Sequence, residues 1–196
     1  MSSTFGERLI YNASQWNGCK EDKNTPNRSK CVDKIKSYFG GEPTPDPWCA
    51  EFVSMIVDET CKDFAVQNPL PATKSTHLFL ANAKKSNIAV NKIATQGAVF
   101  FIDWGKRGGT KGTGHVGFTN YVEGSKINTI EGNFGDSVNF GWRSLDQIDA
   151  FIHVETLGGE KTIGSFNLAS VGNGVKVATA LVGGYLVWNQ FLKGKF

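Results

Sequence analysis

Apolar positions recur at helical spacing in the first half of the chain and at strand spacing in the second. Residues 5–18 place Leu9, Ile10, Ala13 and Trp16 on one side of a helix, with Gly18 ending it. Residues 27–38 form a second helix carrying Val32, Ile35 and Phe39 inward, and Gly40-Gly41 stops it. A turn-rich run follows, Gly40-Gly41-Glu42-Pro43-Thr44-Pro45-Asp46-Pro47. From Cys49 the positions Phe52, Val53, Ile56 and Val57 form one face of a helix reaching about Thr60. Ser75-Thr76 cap a further helix through Lys85, with Leu78, Phe79 and Ala83 as core candidates.

After Ser86 the period shortens. Residues 98–102 (AVFFI) are a continuous apolar run and predict a central strand. Residues 115–122, 126–131, 137–142 and 150–155 predict further strands, with a turn at Glu123-Gly124 joining the first two of these. Helices first and an antiparallel meander afterwards describe an α+β domain. Its expected span is 1–156, with 157–164 as a linker around Gly158-Gly159 and 165–196 as a hydrophobic tail. Residues 177–192 run for sixteen positions without a formal charge. A helix of that length is about 24 Å long, and reaches towards a membrane span once Lys176 snorkels. The expectation is a C-terminal hydrophobic helix that anchors the chain. Its partner is then a lipid membrane or a membrane protein, and the location is membrane-associated, at a bacterial envelope or a virion membrane. The alternatives are a helix packed on protein and a disordered tail. Residues 2–8 are polar and no apolar run follows, so no N-terminal signal peptide is expected.

Composition narrows the chemistry. The chain has 196 residues, 40% hydrophobic and 20% charged, with a net charge of +3. That charge is too small and too scattered to argue for nucleic acid, but suits an anionic wall or membrane. The four cysteines, 19, 31, 49 and 61, show no metal spacing, and His77, His115 and His153 do not cluster, so neither a metal nor another cofactor is expected. The glycine-rich stretch 105–114 lacks the spacing and the Lys-Ser/Thr ending of a phosphate loop. Cys19 and Cys31 can pair if the protein works in an oxidising place. Cys61 reads as a buried apolar cysteine.

Cys49 stands apart. The prolines before it end any earlier helix and leave it at the start of a new one. There the free N–H groups and the helix dipole stabilise a thiolate. His115 opens one strand, and Glu131 and Asn133 end its hairpin partner, which brings the histidine near the Glu131 region. A thiolate, an imidazole and a group fixing the imidazole tautomer make a nucleophile, an acid–base and an orienter. Gly114, Gly117 and Gly132 flank these groups and leave room for a polymer backbone to approach.

The stretches P-W-C-A-E-F-V-S at 47–54, G-A-V-F-F-I at 97–102, G-H-V-G-F at 114–118 and T-I-E-G-N at 129–133 resemble the CHAP family of cysteine, histidine-dependent amidohydrolases and peptidases. The resemblance covers roughly residues 8–155. It implies a papain-like fold related to NlpC/P60 enzymes, with Cys49 as nucleophile, His115 as base, and Glu131 and Asn133 completing the site. It also implies peptidoglycan as partner, cleaved by amidase or endopeptidase action through a thioester, often by phage lysins or virion-borne enzymes. The family strand often begins G-D, and here it begins Gly97-Ala98. Some relatives bind calcium in an aspartate-rich loop before the cysteine. Only Glu42 and Asp46 lie there, so no calcium is expected. The Cys49 N–H is the expected oxyanion donor. Trp48, Trp104, Phe134 and Trp142 read as core rather than substrate platform, with Trp48 beside the nucleophile. The alternatives are a cysteine peptidase acting on protein, and a non-catalytic virion or membrane protein retaining the fold.

Overall fold

The computed structural model describes residues 3–159, 181–182 and 185–186. The chain divides into two compact units, Ser2–Gly164 and Ser165–Phe196 with Met1. In the first unit four helices precede the sheet: α1 Phe5–Ser14, α2 Lys30–Lys36, α3 Cys49–Asp63 and α4 Thr76–Lys85. Three of them begin at hydroxyl caps. Thr4 and Glu7 form a reciprocal capping box on α1, Ser29 accepts from the Val32 N–H, and Ser75 accepts from the Leu78 N–H. Helix α3 begins differently. Its cap position is Trp48, which makes no side-chain cap bond.

Six strands follow: β1 Val90–Asn91, β2 Val99–Asp103, β3 Gly114–Glu123, β4 Lys126–Glu131, β5 Asn139–Ser144 and β6 Ala150–Ile152. They form one antiparallel sheet in the order β1-β6-β2-β3-β4-β5. The α+β expectation therefore holds, with helices packed on an antiparallel sheet. Strand β2 explains its own apolar run, because both of its faces are covered. Val99 and Phe101 join the helix-side core with Phe52, Val53 and Ile56, while Ala98, Phe100 and Ile102 pack with Ile127, Ile148 and Phe151 on the other face.

Several local expectations are corrected. Helix α1 ends at Ser14 and α2 is limited to Lys30–Lys36. Phe39 and Leu78 are exposed rather than core. The strand expected over 137–142 is shifted to Asn139–Ser144, and the one over 150–155 stops at Ile152 and turns into a 3-10 helix, Val154–Gly158.

In the second unit, β7 Leu181–Val182 pairs antiparallel with β8 Tyr185–Leu186. The C-terminal hydrophobic helix is thus corrected at the positions described. Gly183-Gly184 lies between the paired residues in sequence, and a glycine pair between strand formers is a hairpin signal. Among the described residues no helix is long and apolar enough to cross a membrane. The membrane anchor, the membrane or membrane-protein partner and the membrane-associated location lose the helix they were inferred from. The rest of 165–196 lies outside the described residues.

Candidate active site

Pro47 has no N–H to donate, and the chain turns into α3 at Trp48. The Trp48 carbonyl accepts the first helical bond, from Phe52 N–H at 2.9 Å. Its indole is fully buried, and Nε1 donates to Glu21 Oε1 at 2.9 Å. Cys49 is the first residue of α3 and a free thiol. It keeps 5% exposure, whereas Trp48, Ala50 and Phe52 keep none. With no side-chain cap from Trp48, the N–H groups of the first turn are not taken by a capping side chain at that position.

The sheet delivers the histidine and the carboxylate. His115 lies beside Ile102 on β3, and Phe118 pairs with Ile130 across the hairpin. That register sets Glu131 diagonally across from His115, over Gly117. A Cβ on Gly117 would come within 2.8 Å of Glu131 Cγ, so glycine is what lets the carboxylate cross. Gly132 plays the matching part at the helix. A Cβ there would fall 2.6 Å from Phe52 Cβ, so the end of β4 abuts α3 closely.

His115 Nε2 lies 2.7 Å from Glu131 Oε2. Glu131 has 0% exposure and four donors surround it. Oε1 accepts from Thr129 Oγ1 at 2.5 Å and Arg143 Nε at 3.0 Å, and Oε2 accepts from His115 and from Arg143 Nη2 at 2.6 Å. Burial alone would push this carboxyl up. The hydrogen bonds and charges of His115 and Arg143 outweigh it and hold the pKa down at about 2. An ionised carboxylate only accepts, so His115 donates from Nε2 and Nδ1 is the nitrogen left for Cys49. Burial likewise pushes His115 down, but hydrogen bonding and charge from Cys49 and from Glu131 raise it to about 9. The ring thus holds its proton more tightly than a free imidazole does, with Cys49 on one side and the carboxylate on the other.

Cys49, His115 and Glu131 are brought together, and Asn133 is not part of that line. Strand β4 ends at Glu131, and Asn133 takes a left-handed φ of +58°. With its amide oriented to match its neighbours, Asn133 Nδ2 donates to Glu21 Oε1 and Oδ1 accepts from the Trp48 N–H, each at 3.2 Å. Asn133 thus braces the residue before Cys49.

Arg143, Thr129, Glu21 and Asn27 were not singled out in the sequence. Glu21 accepts from Trp48 Nε1 and from the Asn27 N–H, and so ties the 19–31 segment to the helix start. Arg143 stands over the Phe134 ring at 4.5 Å. Its parity on β5 matches that of Gly141, opposite Thr129, a register that the sequence does not show. Of the aromatics read as core, Trp48 is buried, but Trp104 and Trp142 are exposed. Cys19 and Cys31 form a disulfide. Cys61 is buried, and burial pushes its thiol up to about 12. Among the described residues no group of three or more His, Cys, Asp or Glu is placed to hold a metal.

Residues 38–133 match the model of the CHAP domain family. The match supports a CHAP-family, cysteine-hydrolase-like protein, and the helices on an antiparallel sheet agree with that domain's architecture. It includes Cys49, His115, Glu131 and Asn133, and leaves Glu21 and Arg143 outside. No curated protein matches the chain. A solved structure described as "The crystal structure of Ly7917" aligns at 14% identity and a TM-score of 0.40, covering 75% of this chain and 61% of that one.

Proposed function

We propose that the chain is a cysteine-dependent hydrolase of amide bonds in peptidoglycan. The CHAP match supports cysteine-hydrolase-like activity on cell-wall or protein substrates, and the narrower assignment is our reading. The observation that carries it is the buried line from Cys49 through His115 to a saturated, ionised Glu131. The four sequence candidates divide in this reading. Cys49 is the nucleophile, His115 the acid–base, Glu131 the orienter, and Asn133 a brace for the helix start.

The Cys49 thiolate attacks the amide carbon, and the oxyanion is received by the Cys49 N–H at the uncapped start of α3. Collapse breaks the C–N bond as His115 passes its Nδ1 proton to the leaving amine. A thioester remains. Water then attacks it, His115 accepts the water's proton, and the C–S bond breaks to restore thiolate and imidazolium. One water is consumed per amide cleaved. A resting imidazolium suits the first step, because the proton the amine needs is already on the ring.

Digestion of purified peptidoglycan tests the reading. Mass spectrometry should find a new lactyl carboxyl for an amidase, or a new peptide amine for an endopeptidase. Cys49→Ala should abolish both. Wall turnover retained by Cys49→Ala protein would overturn the assignment.

A further inference from the structure

Four consecutive carbonyl groups in the proline run before Cys49 are each taken by a side-chain donor. Arg28 Nη1 donates to Pro43 O at 3.0 Å, and Asn27 Nδ2 to Pro45 O at 3.1 Å. The two between and beyond go to one ammonium, with Lys36 Nζ donating to Thr44 O at 2.5 Å and to Asp46 O at 2.6 Å. The reason lies in the sequence. Pro43, Pro45 and Pro47 have no N–H, and among the described residues positions 43–46 make no backbone–backbone hydrogen bond. A strap of this kind cannot hold its own shape, and its carbonyls need donors from elsewhere.

Lys36 supplies them from an unusual place. It is the last residue of α2, with only 5% exposure. Burial pushes its ammonium down, and the charges of Glu51 and Asp46 oppose that push. Glu51 lies two residues after Cys49, in the first turn of α3, with 6% exposure. Its Oε1 is 3.6 Å from Lys74 Nζ, which also donates to Thr44 Oγ1 at 2.8 Å, and its Oε2 has no hydrogen-bond partner. Isolated buried charges are costly, and the buried Lys36 and Glu51 offset each other beside the same strap, with the exposed Lys74 adding a second cation at Glu51.

We propose that Lys36 is a positioning residue for Cys49. Its buried ammonium, bound to the Thr44 and Asp46 carbonyls and balanced by Glu51, fixes the strap that sets where the nucleophile's helix begins. Asp46 O is three residues from Cys49, so slack in the strap becomes misplacement of the sulfur. A misplacement of about 1 Å is enough to slow chemistry on the order of a hundredfold. The inference rests on the reading of Cys49 as nucleophile.

Three variants test it: Lys36→Met, Glu51→Gln, and the two combined. Each is assayed for kcat and KM on purified peptidoglycan, for the rate of Cys49 alkylation by iodoacetamide, and for thermal midpoint. Lys36→Met is expected to lower kcat and the alkylation rate by about tenfold or more, with KM moved by no more than about threefold. It also removes one of the two cations whose charge bears on Glu51, leaving Lys74 alone, and is expected to melt early. The combined variant removes both charges and is expected to regain the wild-type midpoint without regaining the rates. Wild-type rates in Lys36→Met protein would overturn the proposal. So would recovery of kcat and alkylation by the combined variant, since Lys36 would then only balance a charge. Should Lys36→Met fail to fold, the combined variant decides alone. Should the wild-type protein turn over no peptidoglycan, the substrate assignment fails, while the alkylation rates still judge Lys36.

Discussion

Arg143 grips the Glu131 carboxylate at both oxygens, Nε to Oε1 at 3.0 Å and Nη2 to Oε2 at 2.6 Å. Oε2 is shared with His115 Nε2. A carboxylate with no exposed surface therefore faces two cations. The guanidinium is always charged, so Glu131 stays ionised whether or not the imidazole carries its proton. The arrangement fixes the plane of the carboxylate and with it the direction in which His115 points.

Loss of that grip is expected to be costly. Arg143→Met leaves Glu131 buried with one cation, and removal of one partner of a buried pair destabilises by about 3–5 kcal/mol. Arg143→Lys keeps the charge but has no planar fork, and is expected to recover only part of the loss. Urea unfolding of the three proteins at neutral pH measures both effects.

The pH dependence follows from the two shifted groups. His115 is raised from 6.5 to about 9, so its contribution to stability is complete below about 6.5 and is lost as pH rises through about 9. Glu131 is lowered from 4.5 to about 2, so its contribution is complete above about 4.5 and is lost as pH falls through about 2. Activity is expected to fall on the alkaline side near pH 9, as the imidazolium that serves the leaving amine disappears. Glu131→Gln removes one of the two groups that raise His115, so its alkaline limb is expected at lower pH. A kcat/KM profile from pH 6 to 10.5 on both proteins checks the order.

Asn133 gives the contrasting case. Its amide holds the Trp48 N–H and Glu21 rather than the imidazole. Asn133→Ala is expected to lower kcat by about tenfold through the slackened helix start, leaving the alkaline limb where the wild-type protein has it. An alkaline limb displaced as far as in Glu131→Gln protein would show that Asn133 acts on His115 directly.

How much of this was legible in the sequence depended on the range of the interaction. The start of α3 was readable because proline, cysteine and the apolar face lie within ten residues. The β3–β4 hairpin was readable from Glu123-Gly124, and Glu123 does pair with Lys126. Arg143 was not, since its meeting with Glu131 needs the β4–β5 register, in which Arg143 pairs with Ile127. Glu21 was not, since it reaches Trp48 across twenty-seven residues. The contacts of Asn133 were not legible either, since β4 ends at Glu131 and a left-handed φ turns Asn133 towards the Trp48 N–H and Glu21. At the C-terminus, an uncharged run is equally compatible with a helix and with a hairpin. The pairing of Leu181–Val182 with Tyr185–Leu186 favours the second where the structure describes it.

The Cys19–Cys31 disulfide offers a last test, because the loop it closes carries Glu21, Asn27 and Arg28. Those residues hold the Trp48 indole and the Pro43 and Pro45 carbonyls. The bond therefore stabilises both the fold and the approach to Cys49. Replacing both cysteines by serine is expected to cost about 3 kcal/mol in urea unfolding. Its effect on activity should show in the response to reductant. A cysteine hydrolase ordinarily gains from reductant, which keeps its nucleophile a thiol. Here, increasing dithiothreitol is expected to raise activity first and then lower it, with the fall tracking the appearance of two further free thiols. The Cys19→Ser/Cys31→Ser protein is expected to start at the lower activity and show only the rise. A fall of equal depth in the double-serine protein would place the reductant's effect elsewhere than on this bond.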